Sequence, residues 1–169
     1  HQSDVIITGQ LISENAIWAC TSCGACVDEC PVLIDPMDSI LDMRRYLTLT
    51  EGNIPRTLAS TMTQTERNGN PWGIAAGHRL DWADGLDVPV ISKKGRADIL
   101  YWVGCAGAFD PKNQLTSRAM VEIFSAADVD YAVLGEEEAC NCEWARRAGN
   151  EYLFQQAAHR MIEIGRAHV

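Results

Sequence analysis

Apolar positions recur at helical spacing through the first 70 residues and give way to short continuous apolar runs after residue 98. Ser13 stands where it can cap a short helix that carries Ile17 and Trp18 toward Cys20. Asp35-Pro36 predicts a second start, a capping carboxylate followed by proline at the first helical position. Ile40, Leu41, Met43 and Leu47 then repeat at helical spacing until Glu51-Gly52-Asn53 ends the element. Pro55 opens a further helix with Leu58 and Met62 on one face, closed by Asn68-Gly69-Asn70-Pro71.

Residues 71–96 are rich in Gly, Asp, Pro and Trp and lack sustained periodicity. Trp72 and Trp82 argue for an ordered connector that lies on its neighbours. The run Ile99-Leu100-Tyr101-Trp102-Val103 before Gly104 predicts a buried strand. A helix with Leu115, Ala119, Met120, Ile123 and Phe124 follows, then a strand over Tyr131-Ala132-Val133-Leu134 and a helix from Trp144 to Ile164. Strand, helix, strand, helix is a βαβα order that calls for a small parallel sheet. The expected architecture is therefore all-α plus α/β: a helical segment over 11–70, a connector over 71–97, and an α/β module over 98–169. No internal repeat or low-complexity tract interrupts it.

Composition narrows the classes of function. The chain has 169 residues, 47% of them apolar and 22% charged, which suits one or two small globular domains rather than a disordered chain. Asp plus Glu outnumber Lys plus Arg by 23 to 14, a net charge of -9. A surface that tracks phosphates needs the opposite balance, so nucleic acid is excluded as a general partner. No apolar run approaches the roughly 18 to 20 residues of a membrane helix. The first residues, HQSDVIITGQ, show neither an initiator Met nor the basic and apolar blocks of a signal peptide, so a segment of a longer chain is expected.

The seven cysteines carry the chemistry. Four lie within residues 20–30, one at 105 and two at 140 and 142. Disulfide frameworks disperse cysteines to staple loops, whereas metal sites bunch them, so a reducing compartment and bound metal are expected. Cys20, Cys23, Cys26 and Cys30 with Pro31 form C-x2-C-x2-C-x3-C-P, the bacterial ferredoxin run for a 4Fe–4S cubane. Two-residue gaps let three thiolates wrap one cubane while backbone N–H groups point at its sulfurs, and Gly24 leaves that approach open. A tetrahedral zinc site would place its second Cys pair some 15 to 20 residues on, and a C-x-x-C redox pair would leave two thiols unexplained. In two-cluster ferredoxins the fourth Cys of each run serves the other cluster. Cys30 is therefore expected either to reach a second cubane, whose run these residues lack, or to close a single one.

The later thiols are less determined. Cys105 follows the first strand, and Cys140 and Cys142 follow the second, so all three are expected at the carboxyl ends of adjacent parallel strands, where such folds place ligands. Together they could hold a metal such as zinc, a further cluster or a redox-active disulfide; alternatively Cys105 is a small core residue. Glu136-Glu137-Glu138 reads as a solvated turn, and Arg146 and Arg147 as ion-pairing residues of the last helix. Gly104-x-x-Gly107 lacks the third glycine and acidic partner of a dinucleotide fingerprint.

Two stretches, Ile12 through Ile34 and Asp42-Met43-Arg44-Arg45-Tyr46-Leu47, resemble the second cluster motif and following helix of heterodisulfide-reductase-related iron–sulfur proteins. Glu66-Arg67-Asn68-Gly69-Asn70-Pro71-Trp72-Gly73 continues the resemblance. Val103-Gly104-Cys105-Ala106-Gly107 through Arg146-Arg147-Ala148-Gly149-Asn150-Glu151-Tyr152 resembles the first half of that family's cysteine-rich CCG-type domain. The resemblance covers roughly residues 11–158. It implies a helical ferredoxin domain with two 4Fe–4S clusters and a pair of cysteine-rich modules. It also implies electron relay between flavoproteins, such as electron-transfer flavoprotein or acyl-CoA dehydrogenase, and quinones, thiols or disulfides. Many members carry a membrane domain with b-type haem, which implies a place at the cytoplasmic face of a membrane through a part outside this chain. The first ferredoxin motif and the second cysteine-rich module are missing. Around Cys140 the family has a Cys-Thr-Gly-Asp-Pro-like sequence where Asn141, Cys142, Glu143 and Trp144 stand here.

Three functions follow as expectations. The first is an electron-transfer segment of an oxidoreductase complex, its acidic residues Asp28, Glu29, Asp35 and Asp38 steering a basic partner. The second is a thiol or heterodisulfide reductase acting at Cys105, Cys140 and Cys142. The third treats clusters as folding staples without electron flow.

Overall fold

A computed structural model describes residues 7–168. In chain order the helices and strands are α1 (Glu14–Ala19), α2 (Ala25–Asp28), α3 (Pro36–Tyr46), α4 (Arg56–Asn68), α5 (Ile91–Lys94), β1 (Ile99–Tyr101), α6 (Gly104–Phe109), α7 (Pro111–Ala126), β2 (Tyr131–Val133), α8 (Glu143–Arg147) and α9 (Glu151–His168). The molecule is mainly helical with a two-stranded parallel sheet, as the mixed pattern requires. Residues 1–6, on which the reading of the chain's start rests, and Val169 lie outside the described residues.

Contacts divide the chain into two units. One runs up to Pro55 and takes in Cys142–Gln155; the other joins Arg56–Asn141 to the chain from Gln156 onward.

In the first unit the predicted caps form. The Ser13 side chain accepts from Ala16 N, and Asp35 Oδ1 accepts from Met37 N and Asp38 N. Helix α3 then continues into a wide turn over Leu47–Glu51. Ile17, Leu47 and Leu153 are this unit's large buried aliphatic side chains. Helix α8 and the start of α9 pack on α3 and its turn through backbone. A Cβ on Gly149 would lie 2.4 Å from the Arg44 carbonyl carbon, and the residue has φ +82. Only glycine therefore allows the two main chains to touch here. Thr48 Oγ1 donates to Ala148 O at 2.7 Å beside it. Gly149 also divides the single C-terminal helix that periodicity predicts into α8 and α9.

The second unit is built on the sheet. Ile99, Leu100 and Tyr101 pair with Tyr131, Ala132 and Val133, and Val133 N donates to Pro89 O at 2.9 Å. Side chains alternate across β2, as strand geometry demands. Val133 joins Trp82, Phe109, Val121 and Tyr131 on one face. Ala132 packs with Ile91 and Leu134 on the other, where Ile164 of α9 covers them. Trp82 and Ala83 belong to the buried core of this unit, with Ile74, Leu80 and Leu86 packed against it. Asn70 is wholly buried, its Oδ1 accepting from Trp72 N and Ile74 N and its Nδ2 donating to Ile74 O.

Both strands end earlier than their apolar runs. The strand expected to reach Val103 stops at Tyr101 because the N–H groups of Val103 and Gly104 turn to the Glu138 carboxylate, at 3.1 and 2.8 Å. The chain then enters α6, a helix that the apolar run and glycines hide. Cys105 therefore lies within that helix.

Candidate functional site

The cysteine run wraps the ends of α1 and α2. Cys20 caps the C-terminus of α1, Cys26 lies on α2, and Cys30 follows it; Cys23 stands exposed between them. Two left-handed residues, Ser22 (φ 56) and Gly24 (φ 79), turn the chain between Cys20 and Cys26. Nothing lies within 4 Å of where a Gly24 Cβ would stand. Backbone N–H groups already point at sulfur: Ser22 N donates to Cys20 Sγ at 3.4 Å, and Ile34 N to Cys30 Sγ at 3.2 Å. The Ala25 backbone N–H, helped by the Thr21 side chain, lowers the pKa of the Cys23 thiol. This donor chemistry suits an anionic iron–sulfur cluster, whose sulfurs accept such bonds. Among the described residues no three His, Cys, Asp or Glu side chains gather closely enough to hold a metal ion.

Beneath this loop lies a residue that the pattern of the sequence hides. Arg44 falls at helical spacing between Ile40 and Leu47, on the inner face of α3, and is only 5% exposed. Its guanidinium donates from Nε and Nη2 to Ile17 O, at 3.2 and 2.8 Å, and from Nη2 to Cys20 O. Its Nη1 donates to Ser22 Oγ at 3.2 Å and to Arg147 O at 3.0 Å. The Trp18 ring lies 5.4 Å from its centre. Burial draws its pKa down and Cys20 opposes that shift, but a guanidinium remains charged in proteins. The one sequence signal was a charge in the middle of an apolar stripe.

In the second unit Cys105 and Cys140 come together. Cys140 hydrogen-bonds the Cys105 thiol, and its own N–H donates to Gly69 O at 2.7 Å. Arg79 and Glu138 form an ion pair at 2.9 Å, both almost fully buried. Arg79 Nη2 donates to Cys105 Sγ at 3.3 Å, and its guanidinium covers the Phe109 ring at 5.1 Å. The reading of Glu136-Glu137-Glu138 as a solvated turn is corrected for its last member. Glu136 and Glu137 are exposed, but Glu138 turns inward because Arg79, Val103 N and Gly104 N need an acceptor. Burial raises the Glu138 pKa against the pull of Arg79 and the two N–H donors. The hydrogen bond with Cys140, together with burial, pushes the Cys105 thiol up, outweighing Arg79. Cys142 belongs to the first unit, where it is buried, left-handed (φ 56) and caps α8. Arg147 pairs with Glu143 one turn back at 2.6 Å, and Arg146 reaches Glu151 at the start of α9 at 3.9 Å.

Comparison with known proteins matches residues 99–167 to the cysteine-rich domain family CCG. The chain is 46% identical over 153 residues to a probable membrane-anchored ferredoxin of Chromohalobacter salexigens, with 90% of this chain and 23% of that protein aligned. It is 39% identical to the probable iron–sulfur-binding oxidoreductase FadF of Bacillus subtilis, over 92% of this chain and 23% of that one. An EtfAB:quinone oxidoreductase of Syntrophomonas wolfei is 35% identical over 90% of this chain and 22% of its own length. The chain thus spans under a quarter of each of these relatives. No solved structure matches it.

Proposed function

We propose that this chain, similar to iron–sulfur oxidoreductases and matched over residues 99–167 to the cysteine-rich CCG domain, is an electron-transfer segment holding a 4Fe–4S cubane. The observation that carries the reading is the C-x2-C-x2-C-x3-C-P run, with backbone N–H groups directed at the sulfurs of Cys20 and Cys30. Cys20, Cys23 and Cys26 hold the cubane. Cys30 either completes it or reaches a second cluster. The group supplies one-electron chemistry; the protein sets its potential by hydrogen bonding, charge and burial. Residues 11–70 form the helical ferredoxin-type segment, and 98–169 the first half of the cysteine-rich domain.

The donor in this reading is a flavoprotein of the electron-transfer-flavoprotein or acyl-CoA dehydrogenase kind, and the acceptor a quinone, thiol or disulfide. The named relatives, one an EtfAB:quinone oxidoreductase and one a membrane-anchored ferredoxin, support that direction. Among the described residues no helix is long and apolar enough to cross a membrane. Attachment at the cytoplasmic face, through a b-type cytochrome domain or a subunit, would therefore involve residues other than these. EPR with iron and sulfide quantitation tests the assignment. One reducible cubane signal should disappear in Cys23→Ser, and an unchanged signal set would refute it.

The pairing of Cys105 with Cys140 beside Arg79 favours a second reading, a thiol or disulfide reductase centre in which these two cysteines act as a redox pair or as ligands to a cluster or zinc. Cys105→Ser should then abolish turnover while the cubane signal persists. Retained turnover would rule it out.

A further inference from the structure

We infer that Arg44 is the built-in counter-charge of the Cys20–Cys30 cluster, a positioning residue that raises its reduction potential and couples its binding to folding. This rests on the ligand reading above. At this residue hydrogen bonding and charge are out of balance. A guanidinium has five N–H donors, and Arg44 uses all five, on Ile17 O twice, Cys20 O, Ser22 Oγ and Arg147 O. Every acceptor is neutral. Among the described residues no carboxylate lies within ion-pair range of this group, although the neighbouring Arg45 pairs with Asp42 and Glu151.

A buried cation with its donors satisfied and its charge uncompensated is costly, because desolvation is offset only by an opposite charge nearby. The ligand run supplies that charge. Two of the five bonds go to the backbone of Cys20 and the side chain of Ser22, inside the run itself. An iron–sulfur cubane with thiolate ligands is anionic, and reduction adds one further negative charge when an electron arrives from the donor flavoprotein. No bond is made or broken in that step. A fixed cation favours the reduced form over the oxidised one and therefore raises the potential. The same cation favours the loaded chain over the empty one. Because Arg44 also holds Arg147 O, loading the cluster is linked to the seating of α8.

The test compares Arg44→Met with Arg44→Lys in the protein with its native flanking sequence, reading the EPR signal that Cys23→Ser removes. The readouts are iron and sulfide content and the midpoint of a dithionite redox titration. Arg44→Met should move that midpoint to more negative potential or lose the cluster, while Arg44→Lys should keep the cluster with a midpoint close to the parent's. An Arg44→Met midpoint equal to the parent's would overturn the inference. So would equal shifts, or equal loss of cluster, in both variants, since that would mean the hydrogen-bonding fork matters and the charge does not. A parent protein without the Cys23-dependent signal would instead sink the ligand reading itself, and the inference with it.

Discussion

Each of the two units buries one arginine against one group of cysteines, and the two arginines are treated oppositely. Arg79 is neutralised by Glu138, and that carboxylate is in turn held by two backbone N–H groups. Arg44 has hydrogen bonds to neutral acceptors and no carboxylate among the described residues. The thiols follow suit. Cys105, beside a neutral pair, is pushed up and stays protonated; Cys23, on the exposed loop, is drawn down. A self-compensated centre suits a neutral thiol, whereas an uncompensated one is ready for an anion. The contrast shows that a buried charge informs about function only once its partners are counted.

Removing one half of the neutral pair should have the largest effect. Arg79→Met or Glu138→Leu alone should destabilise the second unit by about 3–5 kcal/mol, since each leaves a buried charge unpaired. The double replacement should recover much of that loss. Urea denaturation of all four proteins closes the cycle, and strictly additive losses would show that the pair is not coupled.

The seat of Arg44 can be tested through backbone alone. Gly149→Ala places a methyl group against the Arg44 carbonyl and a side chain in the left-handed region. A loss of about 2–5 kcal/mol is expected, read as a lowered melting temperature. A variant as stable as the parent would mean that α8 does not need this contact.

Thiol reactivity sharpens the contrast next. Alkylation follows the thiolate, so a lowered pKa gives more reactive anion at a given pH and a raised one gives less. After iron is removed with a chelator, Cys23 should react with iodoacetamide at least about tenfold faster than Cys105 at pH 8, because each pKa unit is tenfold in thiolate fraction while the thiol predominates. Raising the pH toward 9 should speed Cys23 and leave Cys105 slow. Peptide mass spectrometry reads both rates, and equal rates would erase the distinction.

The smallest effect concerns the helix that carries Arg44. Asp35→Ala removes the carboxylate that accepts from Met37 N and Asp38 N and should cost about 1 kcal/mol. If cluster content in that variant falls far beyond what this modest loss implies, α3 helps to place the ligand loop as well as to support it.

Much of the framework is legible along the chain because its causes are local. The caps at Ser13 and Asp35 and the open approach at Gly24 depend on residues a few positions apart, and the parallel pairing of two apolar runs follows from the order of strands and helices. Element ends were harder to read. Val103 belongs to an apolar run, yet its N–H is taken by Glu138, 35 residues away, and the strand stops short. Gly149 looked like an ordinary helix residue until Arg44 lay against it.

By itself the sequence determined the C-x2-C-x2-C-x3-C-P run, because thiol spacing within eleven residues is a property of the chain and needs no fold to express it. Only the tertiary structure decided what surrounds the thiols. Whether Arg44 and Glu138 face water or the interior, and whether Cys105 meets Cys140, depends on segments far apart in the chain. The physical reason is that burial and compensation of charge are relations between such segments. A hydrophilic letter reads the same at the surface and in the core, and packing alone settles which partners it has.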